Sequence, residues 1–360
     1  MMQTMTWVGL DVHARSVHAA VVESQTGELR RARMGGATGD VMRFLGSLQG
    51  PVCAAYEAGP TGFGLARAAA EAGIGMIVVA PSKTPRAAAD RVKTDKRDAE
   101  LLVRLLMAGS LRAIYIPSVT QEAARDLVRA REGLRQDLMR ARHRVSKLLL
   151  RHGRVYPKER GSWTVAHRTW LAAQRFDEPA LALAYIDSLA SVDGLMARRV
   201  VLEQHLSQIA TTPELWPLVS RLRAFRGIDT LTALGLVTEI GDFQRFKRPR
   251  ELSAWLGLVP SIHQSGESLT RGGITKTGSQ HARRLLVEAG WHYLRPPRLG
   301  QTLRNRQDGQ PAEILQIAWR AQQRLYRTHM RLRERGKPAN VATVAAAREL
   351  SGFIWAAATA

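Results

Sequence analysis

The sequence is short of several things at once, and each shortage removes a class of protein. It holds one cysteine, Cys53. No intramolecular disulfide can form, and a reducing cytoplasm is the expected compartment. Cys53 lies in an apolar run, where a small core residue is expected rather than a nucleophile. No stretch reaches the roughly 18 uninterrupted apolar residues of a membrane span. Met1 to Val8 lack a basic segment leading into a long apolar core, so neither membrane anchor nor signal peptide is expected. There is no internal repeat or low-complexity tract, and the ten histidines show no metal-ligand spacing. Acid is scarce too: 31 Asp and Glu stand against 53 Lys and Arg, a formal net charge of +22. Solubility alone needs only a few net charges. Such an excess points to a polyanion, foremost nucleic acid, whose phosphates attract Arg and Lys and release counterions when bound.

What is present is an ordered set of elements. A chain of 360 residues is long enough for two or three domains, each with its own core. Residues 7–12, 18–23 and 28–34 read as three strands joined by short links, an antiparallel meander. A helix over 39–48, strands over 51–56 and 75–80, helices over 63–71 and 99–108 and a short strand over 113–116 follow. Hairpin strands first and strand–helix alternation afterwards is the order of an RNase H-like mixed sheet. Pro117 ends this first domain, 1–117. The next region, 118–212, opens with a long basic helix to about His152, in which Leu127, Leu134, Ala141 and Leu148 recur every seven residues. This is a heptad seam interrupted by Arg131. An irregular connector over 153–178 leads to a second helix over 179–209, with Leu195, Leu202 and Ile209 again seven apart. The pair reads as a coiled-coil hairpin, a dimerisation element or an ordinary helical domain. The third region, 213–360, reads as helical, with a helix–turn–helix over 222–243, a polar loop over 259–278 and closing helices over 312–335 and 341–357. The fold class is thus α/β plus α.

Four carboxylates stand out. Asp11 and Glu57 each end an apolar strand, and such ends can converge on one edge of a mixed sheet. Asp95 and Asp98 are three apart at the start of a helix, hence on one face of it. Together they would repel unless a cation sat among them. Hard oxygen donors favour Mg²⁺ or Mn²⁺. Two such metals roughly 3.5–4 Å apart can clamp both oxygens of a phosphodiester displacement. Lys93, Lys96 and Arg97 lie beside them, where a phosphate backbone would pass.

Three segments, Gly9-Leu10-Asp11-Val12-His13, Tyr56-Glu57-Ala58-Gly59-Pro60-Thr61-Gly62 and Lys93-Thr94-Asp95-Lys96-Arg97-Asp98-Ala99, resemble the N-terminal motifs of the DEDD insertion-sequence transposases. That group includes the Piv-type DNA invertases. Phe225-Arg226-Gly227-Ile228-Asp229, Glu239-Ile240-Gly241-Asp242-Phe243, Trp255-Leu256-Gly257-Leu258-Val259-Pro260, Gln264-Ser265-Gly266 and Ile274-Thr275-Lys276-Thr277-Gly278 resemble its second domain. The resemblance implies a RuvC-like first domain, a coiled coil and a helical transposase domain. It implies Mg²⁺ at Asp11, Glu57, Asp95 and Asp98, and a serine nucleophile that joins covalently to DNA. Ser265 sits in the matching motif, with Ser261 and Ser268 flanking it. A structured guide RNA, donor and target DNA, and a dimeric or tetrameric assembly are implied as partners. The sequence departs from the family at one turn, where Arg226-Gly227-Ile228-Asp229 replaces a Pro-Gly-Ile-Gly type. A left-handed residue at its end would fall on Asp229, which adopts that conformation less readily than Gly.

Arginines ring the first long helix, from Arg125 to Arg151 and including Arg140 and Arg144. Others stud the helix over 312–335, around Trp319 and Tyr326. Acidic residues at the i+4 positions are too few to neutralise them, so phosphate contact is expected from at least one helix, and from Lys276. A RuvC-like junction nuclease would need the carboxylates but neither Ser265 nor the region after 213. A non-enzymatic nucleic-acid-binding protein would need only the basic helices. An actin-like ATPase would need Gly/Ser-rich phosphate loops, and the sequence has none.

Overall fold

The computed structural model describes residues 5–84, 95–157, 161–266 and 268–360. The chain forms two compact units, Met1–Ile116 and Pro117–Ala360.

In the first unit, β1 (Thr6–Val12), β2 (Ser16–Glu23) and β3 (Leu29–Gly35) form the expected antiparallel meander. After α1 (Thr38–Gly46), β4 (Val52–Glu57) returns parallel to β1. After α2 (Gly64–Glu71), β5 (Gly75–Val79) lies parallel to β4. The sheet order is β3-β2-β1-β4-β5, a mixed sheet with β1 in its middle. Central strands covered on both faces need apolar residues at both parities. On one face Val8, Leu10, Val17, Ala19, Val21, Ala54 and Tyr56 pack with Val41 and Leu45 of α1 and Leu65 and Ala66 of α2. On the other, Ala20 and Val22 meet Ala99 and Val103 of α3 (Asp95–Met107). This helix buries Ala99, Leu102, Val103 and Leu106, the stripe of an amphipathic helix. Gly9 is where it touches the sheet. A Cβ on Gly9 would lie 2.6 Å from the Val103 nitrogen and would overlap the Ala99 carbonyl oxygen. The short strand expected over 113–116 reduces to an isolated bridge between Ala113 and Val79, since few residues remain before Pro117 ends the run.

The second unit is mostly helical. Its first helix, α4 (Val119–Arg151), starts on Ser118, whose hydroxyl accepts the Gln121 N–H at 3.0 Å. The connector contains a helix that the sequence did not announce, α5 (Val165–Ala172), capped by Thr164. It turns the chain into α6 (Pro179–Ile209). Helices α4 and α6 run antiparallel: Leu138, Ala141, Val145 and Leu149 meet Tyr185 and Val192, while Ala124 and Val128 share a core with Leu206. The buried line on α4 passes through these residues, and Leu127 and Leu148, expected in the seam, are only half-buried. The interruption at Arg131 is an ion pair across the seam to Glu203. On α6, Leu183, Ile186, Val200 and Val201 are more than half exposed. By length and composition this helix could cross a bilayer, although Asp187 and Asp193 interrupt it.

The remaining helices, α7 (Trp216–Arg223), α8 (Thr230–Ile240), α9 (Pro249–Trp255), α10 (Gln280–Gly290), α11 (Gln301–Gln307), α12 (Ala312–Glu334) and α13 (Ala339–Thr359), enclose one large core around Phe225, Leu234, Leu286 and Leu350. The segment over 259–278, expected to be a loop, is instead a β-hairpin of β6 (Pro260–Ser265) and β7 (Ser268–Ile274). Its strands are polar and exposed nearly throughout, so no hydrophobic alternation betrayed them. The turn after α7 also differs from expectation. Asp229 is extended, at φ −91°, and its carboxylate caps α8 by accepting the Thr232 N–H at 2.8 Å. The left-handed residue is Gly227, at φ +80°.

Candidate active site

Alternation along the strands decides which side chains share a face. Asp11 lies two residues beyond Gly9, so it projects on the side covered by α3. His18 stands opposite Asp11 in the β1–β2 register and shares that side. Glu57 ends β4 one place beyond Tyr56, the register partner of Leu10, and so stands beside Asp11 at the carboxyl end of a neighbouring parallel strand. Tyr56 itself is buried, and its hydroxyl donates to the Gly62 carbonyl at 3.1 Å, fastening the turn that follows. Asp95 and Asp98 occupy the first turn of α3, where acidic residues complement the helix dipole.

Asp11, His18 and Asp95 form one group, with ligand atoms within 4.8 Å of one another. His13 Nε2 lies 3.0 Å from Asp11 Oδ2 and 3.7 Å from Asp95 Oδ1, and His18 Nδ1 lies 3.6 Å from Asp95 Oδ2. Asp98 stands outside the group but close enough for its charge to act on Asp11. Glu57 is also outside it. Partial burial pushes the Asp11 carboxyl above its ordinary range. The His13 ring opposes that shift, and the charges of Asp95 and Asp98 add to it. A carboxylate that is both desolvated and repelled by two others is stabilised by a cation. The donor set therefore fits a divalent ion held by carboxylate oxygens, with an imidazole at its edge. His18 was not among the candidate site residues read from the sequence. Its placement depends on the register of β1 with β2 rather than on spacing along the chain.

Of the expected nucleic-acid contacts in this unit, Lys96 and Arg97 are exposed on the first turn of α3. Lys93 lies outside the described residues.

Ser265 belongs to the second unit. It is the exposed last residue of β6, paired with Ser268 and followed by Gly266 at φ +56°. Ser261 is nearer the base of the hairpin and half-buried. The loop after β7 is held firmly. Thr275 N–H donates to Val259 at 2.9 Å, Lys276 N–H to Gly257 at 3.1 Å, and Arg283 donates to the carbonyls of Leu256 and Thr277 at 2.9 and 2.8 Å. Lys276 is exposed there in a left-handed conformation, φ +56°.

The arginines of α4 are less available than their spacing suggested, because several have acidic partners, some on other helices and some three residues away on α4 itself. Arg129 makes two hydrogen bonds, 2.8 and 3.0 Å, to Glu239, and Arg135 grips Glu132. Arg140 pairs with Asp137, whereas Arg144 is exposed. Glu239 is deeply buried on α8. Besides Arg129 it accepts the Ser279 hydroxyl at 2.9 Å and lies 3.5 Å from His281 Nδ1. Burial alone would raise its carboxyl, but His281, Arg129 and Ser279 overcome that and hold it at about 2. Ser279 also caps α10, so Glu239 anchors the start of that helix to α4.

Two family models match the chain, a DEDD-type transposase of the IS110 group over residues 8–153 and "Transposase IS116/IS110/IS902 family" over residues 219–303. The chain is 41% identical over 357 residues to y4qE of Sinorhizobium fredii, assigned as a transposase, covering 98% of this chain and 88% of that protein. It is 31% identical over 342 residues to the transposase of insertion sequence element IS1533 of Leptospira borgpetersenii, covering 93% and 99%. Similarity extends to the pilin gene-inverting protein of Moraxella bovis, at 28% over 180 residues, 50% of this chain and 46% of that one. With a mixed sheet bearing clustered acids and a mostly helical remainder, this chain belongs to the IS110/IS116/IS902 family of transposases.

Proposed function

We propose that this transposase cuts and exchanges DNA strands through two sets of residues, the carboxylates of a RuvC-like domain over 1–117 and Ser265 of a transposase domain over 213–360. The observation that carries the reading is the crowding of Asp11 with Asp95 and Asp98, whose negative charges both act on its partly buried carboxyl. Asp11, Asp95, Asp98 and Glu57 would hold Mg²⁺ or Mn²⁺. Such an ion supplies charge stabilisation to a phosphoryl group under attack.

Ser265 is the proposed nucleophile. Its Oγ–P bond forms as the bond from phosphorus to the leaving sugar oxygen breaks, and the proton lost by the hydroxyl returns to that oxygen. Resolution by the freed hydroxyl of the exchanged strand reverses the step and restores the serine. An exposed serine at the end of a hairpin is accessible to a DNA backbone, and a hydroxyl at its ordinary pKa needs outside activation. Lys96, Arg97, Arg144 and Lys276 are proposed to contact phosphates, with Arg140 exchanging Asp137 for one. A structured guide RNA is proposed to select donor and target DNA, which accords with the net charge of +22. The exposed apolar side chains of α6, within a coiled-coil region over 118–212, support assembly as a dimer or tetramer. The site of action is the cytoplasm, at the nucleoid.

The test is recombination between donor and target plasmids, with the DNA flanking the element supplied as a source of RNA. Asp11→Ala and Ser265→Ala are each expected to abolish it. Full activity of Ser265→Ala would remove the serine step and leave a metal-dependent nuclease. Recombination at full rate without the flanking DNA would remove the guide.

A further inference from the structure

The second unit contains a cavity of about 470 Å³ that none of the proposed roles uses. It opens at the turn between α7 and α8 and is lined by Arg226, Arg298, Arg306, His292 and Asp229. Its charge is unbalanced. Asp229 is the only acid in the lining, and its carboxylate is already occupied in capping α8. Two of the arginines are fixed in place by the backbone. Arg226 donates from Nη1 to the carbonyls of Arg295 and Pro296, at 3.2 and 2.8 Å, and Arg306 donates from Nη1 to the Ile228 carbonyl at 2.8 Å. Carbonyls orient a guanidinium without neutralising it. The Arg306 Nε is buried and has no hydrogen-bond partner among the described residues, nor has the hydroxyl of the fully buried Tyr293. Arg298 lies on the segment whose own N–H donates to Gln322 at 3.1 Å, and its side chain is exposed at the rim.

We propose that this cavity seats a backbone phosphate of a nucleic acid, gripped by Arg306 and Arg226 from within and by Arg298 from the rim. An arginine fork presents five N–H donors and matches phosphate geometry. Three guanidiniums share the lining with a single carboxylate, and an anion in the cavity relieves the excess of partly desolvated positive charge. Burial already holds Arg226 and Arg306 below their ordinary range. Arg295 adds to this at Arg226. At Arg306 the lone acid Asp229 opposes it while Arg223 adds to it. Gly227 keeps the floor of the cavity close to α10. Its left-handed φ and a would-be Cβ at 2.9 Å from both the Ala289 carbonyl and His292 leave no room for a side chain. The cationic surface continues past Pro297 to Arg327 and Tyr326 of α12, which border a neighbouring depression. A strand seated at Arg306 would have somewhere to run.

This inference rests on the nucleic-acid reading above but not on its chemistry. The phosphate could belong to DNA or to RNA, and the test separates them. The full-length protein is titrated into labelled random-sequence duplex DNA and, separately, duplex RNA over a series of salt concentrations. Arg298→Ala, whose side chain supports nothing else among the described residues, is expected to lower the slope of log affinity against log salt for DNA by about 1, the signature of one lost phosphate contact. Arg306→Gln should do the same, and the double variant no more than either, because both hold one phosphate. A change confined to RNA would assign the seat to the guide. Unchanged slopes on both nucleic acids in folded Arg298→Ala would overturn the proposal, even if Asp11→Ala abolishes recombination. Recombination by Asp11→Ala would instead sink the catalytic reading and leave the binding result standing.

Discussion

Two groups of acidic side chains in this molecule have opposite electrostatics. In the first unit Asp11 is surrounded by Asp95, Asp98 and two histidines, and its carboxyl is pushed up by burial and by like charges. In the second unit Glu239 is more deeply buried, yet Arg129, Ser279 and His281 bring it down to about 2. Glu132 nearby, gripped by Arg135 and Arg284, is likewise lowered on balance against its own burial. Burial is common to both groups. What differs is whether the protein supplies the counter-charge. Where it does, the carboxylate is part of the scaffold. At Asp11 the described residues oppose the shift only through the His13 ring, and a group so placed is poised for a cationic ligand.

The largest effect should come from removing the unbalanced acid. Asp11→Asn is expected to lower recombination by on the order of a thousandfold, comparable to losing a principal electrostatic contribution at a reacting phosphate. A rate within tenfold of the parent would break the contrast. Next comes the balanced acid. Glu239→Ala strands Arg129 and frees the start of α10, and should cost the second unit about 3 kcal/mol in denaturant unfolding. Arg129 is half exposed, which keeps the figure at the low end. Because the folded carboxyl of Glu239 is depressed, its contribution is complete above about pH 4.5 and is lost as pH falls toward about 2. Glu239→Gln should flatten that acid limb. An unchanged limb would show that the pair contributes nothing.

A smaller effect should come from divalent ions. Mg²⁺ or Mn²⁺ at about a hundred times its dissociation constant should stabilise the first unit by about 2.7 kcal/mol at neutral pH, and chelation should reverse this. The second unit should not respond. Equal shifts in both units, or none in the first, would remove the distinction. The smallest effect has the least intuitive sign. The folded Asp11 carboxyl is raised, so its penalty on folding grows as pH rises through that value. Asp11→Asn without metal should therefore unfold slightly later than the parent at neutral pH, by less than about 1 kcal/mol, and that gain should vanish in acid.

Much of the first unit was legible because its strands are apolar runs with turn residues between them, and because Asp11 and Glu57 close two of those runs. His18 was not legible, because its meeting with Asp11 depends on the register of a hairpin whose link carries no tight-turn pair. The hairpin bearing Ser265 was read as loop because polar, exposed strands have no hydrophobic period. The partners of Arg129 and Arg131 were hidden for another reason. Glu239 and Glu203 lie 110 and 72 residues away, beyond any pattern along one helix. Glu239 did leave a trace: a lone charge in the apolar run Leu231 to Ile240 has to be matched by something.

The contact at Gly9 has a further consequence. Asp11 is carried by a strand and Asp95 by a helix, and the gap between these two carriers is set where the α3 backbone lies directly against Gly9. The missing methyl group works as a gauge. A side chain there would act as a spacer, lifting the helix-borne acids off the strand-borne one while every acid stayed in the sequence. A copy of this element could thus be silenced without touching a single polar residue, and an inventory of its motifs would still count it as intact.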